Sequence, residues 1–247
     1  MHRSFFYFIY SALAFIAPTF LRAEVADEAV EALLNLRKQD GYSWEVSTAK
    51  GGVNNLSQLP RTKHGSINAA GEIYLEQVWP DGLVLETVVR RDGAVVHTPD
   101  GWYTKSELSN FSRQTKRGTP QSPWFRYALN AFEITTPEEE LTRMLNDAKD
   151  YARVGDKIEA LLTERGATYW LGSTRLIPNA TGHVSIRLRN GLIRECRISA
   201  EGEMPNGPTG NTKHVEFEIA FIFDYTGGSF AVPYEAKQKL RQVAEDK

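Results

Sequence analysis

The longest regular pattern in the chain is an alternation of apolar and polar residues from Lys213 to Tyr225. Every second position carries a large apolar side chain, and most of the positions between them are polar. The apolar set comprises Val215, Phe217, Ile219, Phe221, Phe223 and Tyr225. A period of two is typical of a β-strand with one buried face. The segment therefore predicts a long strand in a broad, curved antiparallel sheet whose apolar face must be covered.

Shorter alternating runs predict the remaining strands of that sheet. Tyr42–Val46 is expected to form an early strand, and strand character returns around Arg61–Asn68. Asp81-Gly82 and Asp92-Gly93 then separate alternating runs, which is a strong signal for β-hairpins. The three runs of this meander are Ile73–Trp79, Leu83–Arg90 and Ala94–His97. A short final strand is expected at Ser229–Val232, after the turn at Gly227-Gly228.

A further hairpin around Asn190-Gly191 admits two registers. A two-residue turn would place Arg187 opposite Arg194, which is an unfavourable pairing of like charges. A three-residue turn with a glycine bulge would pair Arg187 with Glu195 instead. We expect the second register, which also turns Cys196 and Arg194 towards the buried face.

Helical spacing predicts several helices around the sheet. Residues 25–39 form an amphipathic pattern, Pro233 is expected to open a C-terminal helix, and a short, very apolar helix is expected after Pro123. The apolar positions of that short helix are Trp124, Phe125, Ala128, Leu129 and Phe132. The polar segment Lys105–Thr119 is interpreted as a solvated loop, and the stretch around Arg113–Ser122 as a candidate lid.

The clearest helix start is Thr136-Pro137-Glu138-Glu139, which supplies an N-cap, a first-turn proline and a capping-box glutamate. The apolar stripe expected on this helix is Leu141, Met144, Leu145, Ala148 and Tyr151. The run Glu138–Glu140 could suggest acid–base chemistry. Negative charge at a helix N-terminus is an ordinary stabilising device, so we interpret the run in that way.

The first 23 residues have the pattern of a secretory signal peptide. A basic start at Met1–Arg3 precedes the apolar run Phe5–Ala17, and the small residue Ala23 precedes Glu24. The apolar run is shorter than the roughly 20 residues that cross a bilayer. We therefore expect residues 1–23 to be removed, leaving 24–247 as one periplasmic or secreted domain with no stable membrane span. An uncleaved N-terminal anchor is the alternative.

Charge and cysteine content narrow the possible partners. The formal net charge is −2, and loss of the signal peptide would remove Arg3 and Arg22 but no acidic residue. This balance argues against nucleic acid, which usually requires a basic face. Cys196 is the single cysteine, so the chain can form no internal disulfide.

No catalytic or metal-binding motif is found. The five histidines show no metal-ligand spacing, and the chain lacks a nucleophile elbow, a phosphate-binding loop and a dinucleotide fingerprint. We therefore expect a protein that is not an enzyme and has neither cofactor nor metal. An enzyme with a dispersed triad remains an alternative, because triad members need not be adjacent in sequence.

Three short motifs carry a resemblance to a known family. They are Tyr42-Ser43-Trp44, Pro99-Asp100-Gly101-Trp102 and Val232-Pro233-Tyr234-Glu235-Ala236, set in the order helix, meander, central helices, long strands and final helix. The chain resembles the LolA-like superfamily, which includes the periplasmic lipoprotein carrier, its outer-membrane receptor partner and LppX/LprG-type lipid-binding lipoproteins. The resemblance implies an α+β fold, in which a curved antiparallel β-sheet forms an open half-barrel covered by a few helices.

The resemblance also implies non-covalent binding of a lipid or of the acyl chain of a lipidated protein. The five tryptophans and the long apolar strand offer more apolar area than a thin core needs, which favours a lined cavity. Envelope proteins are further candidate partners. The alternative is an envelope sensor or interaction module of the same fold, with a packed core and no lipid ligand.

Eleven residues are candidates for the ligand site. Four form the expected floor, four the cover and two the wall, and one arginine is either a buried functional charge or a rim residue. In that order they are Phe217, Ile219, Phe221 and Phe223; Trp124, Phe125, Leu129 and Phe132; Trp79 and Leu85; and Arg194.

Overall fold

Antiparallel pairing joins eleven strands into a single open sheet in the computed structural model of this protein. The structure describes residues 23–53, 59–114, 124–205, 212–226 and 228–245. The expected signal peptide lies almost wholly outside these ranges. Within them, every helix falls short of the length and apolar character that crossing a bilayer requires.

The strands follow the alternating patterns of the sequence closely. Their bounds are β1 (Tyr42–Gly51), β2 (Thr62–Ile67), β3 (Ile73–Val78), β4 (Val84–Arg90), β5 (Gly93–Thr98), β6 (Gly101–Thr104), β7 (Ala148–Val154), β8 (Lys157–Leu162), β9 (Thr181–Arg189), β10 (Leu192–Pro205) and β11 (Thr212–Asp224).

The strand order is β6-β5-β4-β3-β2-β1-β11-β10-β9-β8-β7. The first six strands form one meander and the last five form another, and β1 joins β11 in the middle. The sheet does not close on itself, because β6 and β7 lie at its two ends. The predicted α+β fold with a curved, open antiparallel sheet is confirmed.

Most of the helices lie against one face of the sheet, which we call the inner face. Their bounds are α1 (residues 23–37), α2 (Lys105–Gln114), α3 (Phe125–Asn130), α4 (Pro137–Asn146), α5 (Glu164–Trp170) and α6 (Tyr234–Glu245). The last of these, α6, lies instead on the outer face, over β5 and β6. A Cβ atom at Gly93 of β5 would come within 2.6 Å of Val243 Cγ1 of α6.

Three clusters of buried apolar side chains hold these layers together. The largest, cluster 1, joins α1, α4 and α5 to the inner face of β1, β3 and β7–β11. Cluster 2 lies between α2, α3 and the inner face of β4 and β5, together with Trp79, which follows β3. Cluster 3 joins α6 to the outer face of β4–β6. The β4–β6 end of the sheet is therefore covered on both faces.

The β9–β10 hairpin confirms the preferred register. Arg187 lies opposite Glu195, and Arg187 Nη1 is 2.6 Å from Glu195 Oε2. Asn190 and Gly191 both have positive φ, at 55° and 71°, which is the left-handed geometry that a tight turn needs here. Cys196 is fully buried, and burial raises the pKa of its thiol, so it acts as a small apolar residue.

Three predictions about elements were wrong. Lys105–Gln114 is a helix rather than a loop, because Leu108 is fully buried in cluster 2. The helix that begins at Thr136 ends at Asn146, and Tyr151 lies on strand β7, which pairs with β8. Ser229–Val232 forms no strand, since its apolar residues pack in cluster 3 beside α6. Most of the candidate lid around Arg113–Ser122 lies outside the described residues.

Candidate ligand-binding site

The inner face carries a continuous row of side chains across six neighbouring strands. Each member lies opposite the next in the pairing of β10, β11, β1, β2, β3 and β4. In strand order the row is Cys196, Phe221, Val46, Lys63, Gln77 and Leu85. Lys63 and Gln77 interrupt an otherwise apolar surface, and they stand side by side at its middle.

The expected floor residues belong to cluster 1. Phe221 and Phe223 are almost fully buried, whereas Phe217 and Ile219 are half-buried at its margin. The Phe217 ring lies 5.7 Å from the ring of Trp170 on α5. The floor is therefore covered mainly by α1, α4 and α5 rather than by the aromatic helix α3.

The expected wall and cover residues come together in cluster 2. Trp79 stacks on Tyr127 of α3, with ring centroids 4.2 Å apart, and Leu85 is fully buried below. Trp124 Nε1 donates a hydrogen bond to Asp100 Oδ2 at 3.1 Å. Cover and wall thus pack directly on one another, and the floor forms part of a different cluster. The members of the cover are Trp124, Phe125, Leu129 and Phe132.

A seam of polar side chains lies between these two parts of the inner face. It surrounds a cavity of about 30 Å³ that is lined by Lys63, Gln77 and Glu140, with Trp44 and Phe221 among its apolar neighbours. We call Lys63, Gln77 and Glu140 the polar seam. Neither the wall nor the cover lines this cavity, but two floor residues, Ile219 and Phe221, do.

The polar seam holds buried atoms without hydrogen-bond partners. Gln77 is 4% exposed, and neither its Oε1 atom nor Glu140 Oε2 has a partner in the described structure. Burial lowers the pKa of the Lys63 amine, although the nearby Glu140 opposes this change. Burial raises the pKa of the Glu140 carboxyl group, against the opposing charges of Lys63 and Arg143. The seam therefore disfavours a charge on either group.

Helix α4 places Glu140 in the seam. Thr136 caps the helix in a complete capping box with Glu139. One residue earlier, Glu138 accepts a hydrogen bond from the Tyr42 hydroxyl at 2.8 Å, which ties the first turn to β1. The predicted cap is confirmed. The interpretation of Glu138–Glu140 as charge that stabilises the helix N-terminus agrees with the structure at Glu139, which completes the capping box. Glu140 differs, because it lines the cavity.

A close approach between two strands shapes the other side of the cavity. A Cβ atom at Gly65 of β2 would lie 2.1 Å from ring atoms of Trp44, so the indole can lie across this position only because it is a glycine. Trp44 is 6% exposed and lines the cavity beside Lys63. Gly65 thus lets a large ring reach the centre of the inner face.

Arg194 lies away from the seam, at the bulge of the β9–β10 hairpin. Its guanidinium carbon is 5.0 Å from the centroid of the Tyr225 ring, and its Nε atom is buried without a hydrogen-bond partner among the described residues. Tyr225 in turn donates a hydrogen bond to the Ile193 carbonyl oxygen at 2.6 Å. Arg194 is partly buried, and it packs on an aromatic ring.

One group of side chains on the outer face could approach a metal ion. Ligand atoms of Glu201, His214 and Glu216 lie within 4.8 Å of one another, and all three residues are exposed. Glu216 already pairs with Lys50 at 2.8 Å, and His214 Nδ1 lies 3.0 Å from Glu203 Oε1. These pairs already balance much of the local charge, so the group resembles ordinary surface ion pairing.

The larger depressions are also on the outer face and open to solvent. One, of about 260 Å³, is lined by side chains such as Lys50, His183 and Glu201. Another, of about 350 Å³, lies over β11 and β1–β3, beside Tyr74 and Ile222. Neither is enclosed, and both lack the converging buried groups that the polar seam has.

None of the three residues of the polar seam was predicted as part of a site. Glu140 belongs to the acidic run that was interpreted as helix-stabilising charge. Lys63 lies on the same face of β2 as Gly65 and Ile67. Gln77 lies on the same face of β3 as Ile73 and Leu75, so both side chains occupy positions that face inward. A polar residue at an inward position of a strand is the signal that could have identified them.

Comparison with known proteins gives matches at the level of structure alone. No protein-family model matches the chain, and no curated protein matches it in sequence. The crystal structure of the lipoprotein LppX from Mycobacterium tuberculosis matches 82% of this chain and 94% of its own, with 13% identity and a TM-score of 0.45. LprF from Mycobacterium bovis matches 87% of this chain and 98% of its own, with 9% identity and a TM-score of 0.45. LppX is one of the lipoproteins named in the resemblance drawn from the sequence.

Proposed function

We propose that this protein binds one acyl chain non-covalently on the inner face of its sheet, beneath α2 and α3, and serves as an exported carrier of a lipid or lipidated protein. The observation that carries this proposal is the separate packing of cluster 2. Its aromatic cover rests on an apolar wall and is not continuous with the principal core.

Binding of an acyl chain would replace contacts between the cover and the wall by contacts with the chain. An acyl chain gains roughly 0.8 kcal/mol per buried methylene, or about 11 kcal/mol for about 14 methylenes before the costs of binding. Trp124, Phe125 and Leu129 pack on the wall. An acyl chain that enters beneath the cover separates these side chains from the wall, and they then pack on the chain instead. The two states therefore bury comparable apolar area, and a modest difference in affinity is enough to load or release the chain.

A packed interaction module of the same fold is the second candidate. Two observations favour it: the cover packs directly on the wall, and the cavity on the inner face, about 30 Å³, is too small for an acyl chain. Under this alternative, cluster 2 is simply a satellite core, and the protein acts through its surface.

Native mass spectrometry of the mature protein, isolated from its own source and followed by lipid extraction, is the first experiment. A bound acyl-containing species at near-stoichiometric level is the expected result, and it would identify the class of ligand. A clean apo mass, together with no uptake of added lipid or of a fluorescent fatty acid, would overturn the carrier proposal and favour the interaction module.

Replacing Phe125 by serine distinguishes the two candidates by mutation. Phe125 is 4% exposed in the cover and contacts Phe111 with ring centroids 5.5 Å apart. Because cluster 2 is separate, we expect the loss of this ring to loosen α3 while the principal core keeps its melting temperature within a few degrees. Retention of a fluorescent fatty acid should fall at least about tenfold, since the cover no longer holds the chain.

The matched control is Phe230→Ser, which removes a ring on the outer face beside Tyr74. It should leave fatty-acid retention unchanged. A large drop in the melting temperature of Phe125→Ser, with unchanged uptake of the fatty acid, would indicate a packed core.

A further inference from the structure

The polar seam has the composition of a binding subsite and not of a core. Its cavity is lined by β1–β3 and β11 on one side and by the first turn of α4 with residues 133–135 on the other. Gln77 and Glu140 each contribute a buried oxygen atom without a partner, and both residues line this one space. Trp79 Nε1 is likewise buried without a partner, but it stands alone.

Unpaired polar groups of this kind lower stability, and folded proteins keep few of them. No carboxylate oxygen of the described residues lies within ion-pair distance of the Lys63 amine. Leucine or methionine at positions 63 and 77 would continue the apolar row from Phe221 to Leu85 without this cost. The seam is therefore a place where a bound group could supply the missing partners.

The size and chemistry of the cavity restrict what that group can be. A space of about 30 Å³ holds a group about as large as a water molecule or a carboxylate, and it is too small for a phosphate. The Lys63 amine can donate as an ammonium group once an anion pairs with it, and the Gln77 amide can donate after rotation by 180°. Glu140 donates in its protonated form, which burial favours. Three donors converging on a small space suit an oxyanion with a single negative charge.

We propose that Lys63, Gln77 and Glu140 form a head-group subsite, and that the ligand of this protein is a fatty acid whose carboxylate enters the seam while its chain lies along the apolar inner face. This inference rests on the proposed acyl-binding function. Lys63 neutralises the carboxylate, and the seam selects a free acid over an ester because an ester brings no charge to pair with the buried amine. A cationic head group is rejected by Lys63.

Binding of dodecanoate and of its methyl ester tests the subsite directly. Affinities are measured by displacement of a fluorescent fatty acid and by calorimetry, on the wild-type protein and on Lys63→Met. We expect the wild type to bind dodecanoate at least about tenfold more tightly than the ester. Lys63→Met should lose that preference by binding dodecanoate more weakly, with the affinity for the ester unchanged.

Lys149→Met is the matched control, because Lys149 is exposed on β7 and far along the sheet from the seam. Circular dichroism and thermal melting show whether each variant is folded, and Gln77→Leu provides a second variant should Lys63→Met not fold. Equal affinity of the wild type for acid and ester would overturn the subsite while leaving acyl binding intact. Binding of neither compound would overturn the proposed function itself.

Discussion

Three polar residues distinguish the proposed subsite from the apolar core on the inner face of the sheet. Lys63 and Gln77 occupy inward positions on β2 and β3, where Val, Ile or Leu would bury more apolar area and lose no hydrogen bonds. Glu140 reaches the same space from α4, on the turn that Thr136 caps. Buried groups without partners cost stability, and we attribute that cost here to the proposed head-group subsite.

The carboxyl group of Glu140 makes stability depend on pH. Its pKa is raised above the ordinary value of 4.5, mainly by burial, so the folded state binds this proton more tightly than the unfolded chain does. The cost of ionising Glu140 is therefore absent below pH 4.5, and it grows as the pH rises through the pKa of the folded state. Glu140→Gln should melt at a higher temperature than the wild type at pH 7, and this gain should shrink as the pH falls below 4.5.

Thermal melts of both proteins between pH 4 and pH 8 measure this difference. Glu133→Gln, at an exposed position on the rim of the same cavity, is the matched control and should shift the melting temperature much less. A gain for Glu140→Gln that remained constant down to pH 4 would contradict the assignment of a buried carboxyl group.

At the scale of elements, helix α4 holds Glu140 against the inner face of the sheet. Its N-terminus is fixed by the capping box and by the hydrogen bond from Tyr42 to Glu138. Burial raises the pKa of Tyr42, with Glu138 contributing, so the hydroxyl stays protonated and remains a donor. The position of Glu140 therefore depends on interactions within two residues of it.

Removing the cap should weaken this element by a measurable amount. Thr136→Ala removes the side-chain oxygen that accepts from Glu139 N, and such a change typically costs about 1 kcal/mol. We expect a lower urea midpoint with an unchanged slope. Thr135→Ala, at the exposed neighbouring position that caps nothing, is the control. Equal midpoints for the two variants would show that the cap contributes no net stability.

The elements that the sequence predicted well are those fixed by local chemistry. The capping box at Thr136 and the register of the β9–β10 hairpin both depend on residues a few positions apart, so they could be recognised without a structure. Helix α2 was missed because its sequence is polar, and Leu108 is the one fully buried side chain among those of the helix that the structure describes. Strand β7 was missed because Ala148 and Tyr151 also fit helical spacing, and pairing with β8 decides between the two.

At the scale of the whole molecule, stability should be distributed unevenly along the sheet. The central strands β1, β10 and β11 share the long ladders and the large cluster 1, whereas α3 has six residues and no side-chain cap. We expect amide hydrogen exchange in residues 125–130 to be at least about a hundredfold faster than in the centre of β10 and β11. Exchange measured by mass spectrometry at peptide resolution tests this.

The same experiment with a bound fatty acid supplies the control. Binding should slow amide exchange in α3. Exchange in β9, which lies towards the other end of the sheet, should remain unchanged. Protection of α3 equal to that of β11 in the free protein would mean that the cover does not open, and a mobile lid would be excluded.

The candidate site could be predicted only in part, because the pairing of distant strands decides which of its residues meet. Aromatic residues of the wall and cover are visible in the sequence, and they do come together in cluster 2. Their separation from the floor depends on which strands meet, and the pairing of β1 with β11 joins segments far apart in the chain. The polar seam lies close to that junction, so its three residues share no local motif.

An open sheet has two edge strands, and their construction bears on how the protein behaves at high concentration. Strand β6 has four residues and runs directly into α2. Strand β7 is bent where Asp150 adopts a φ of 54°, and Lys149 and Arg153 stand exposed along it. Short, bent and charged edges are poor templates for the strand of a neighbouring molecule. At high concentration the protein should therefore have little tendency to polymerise through the edges of its sheet.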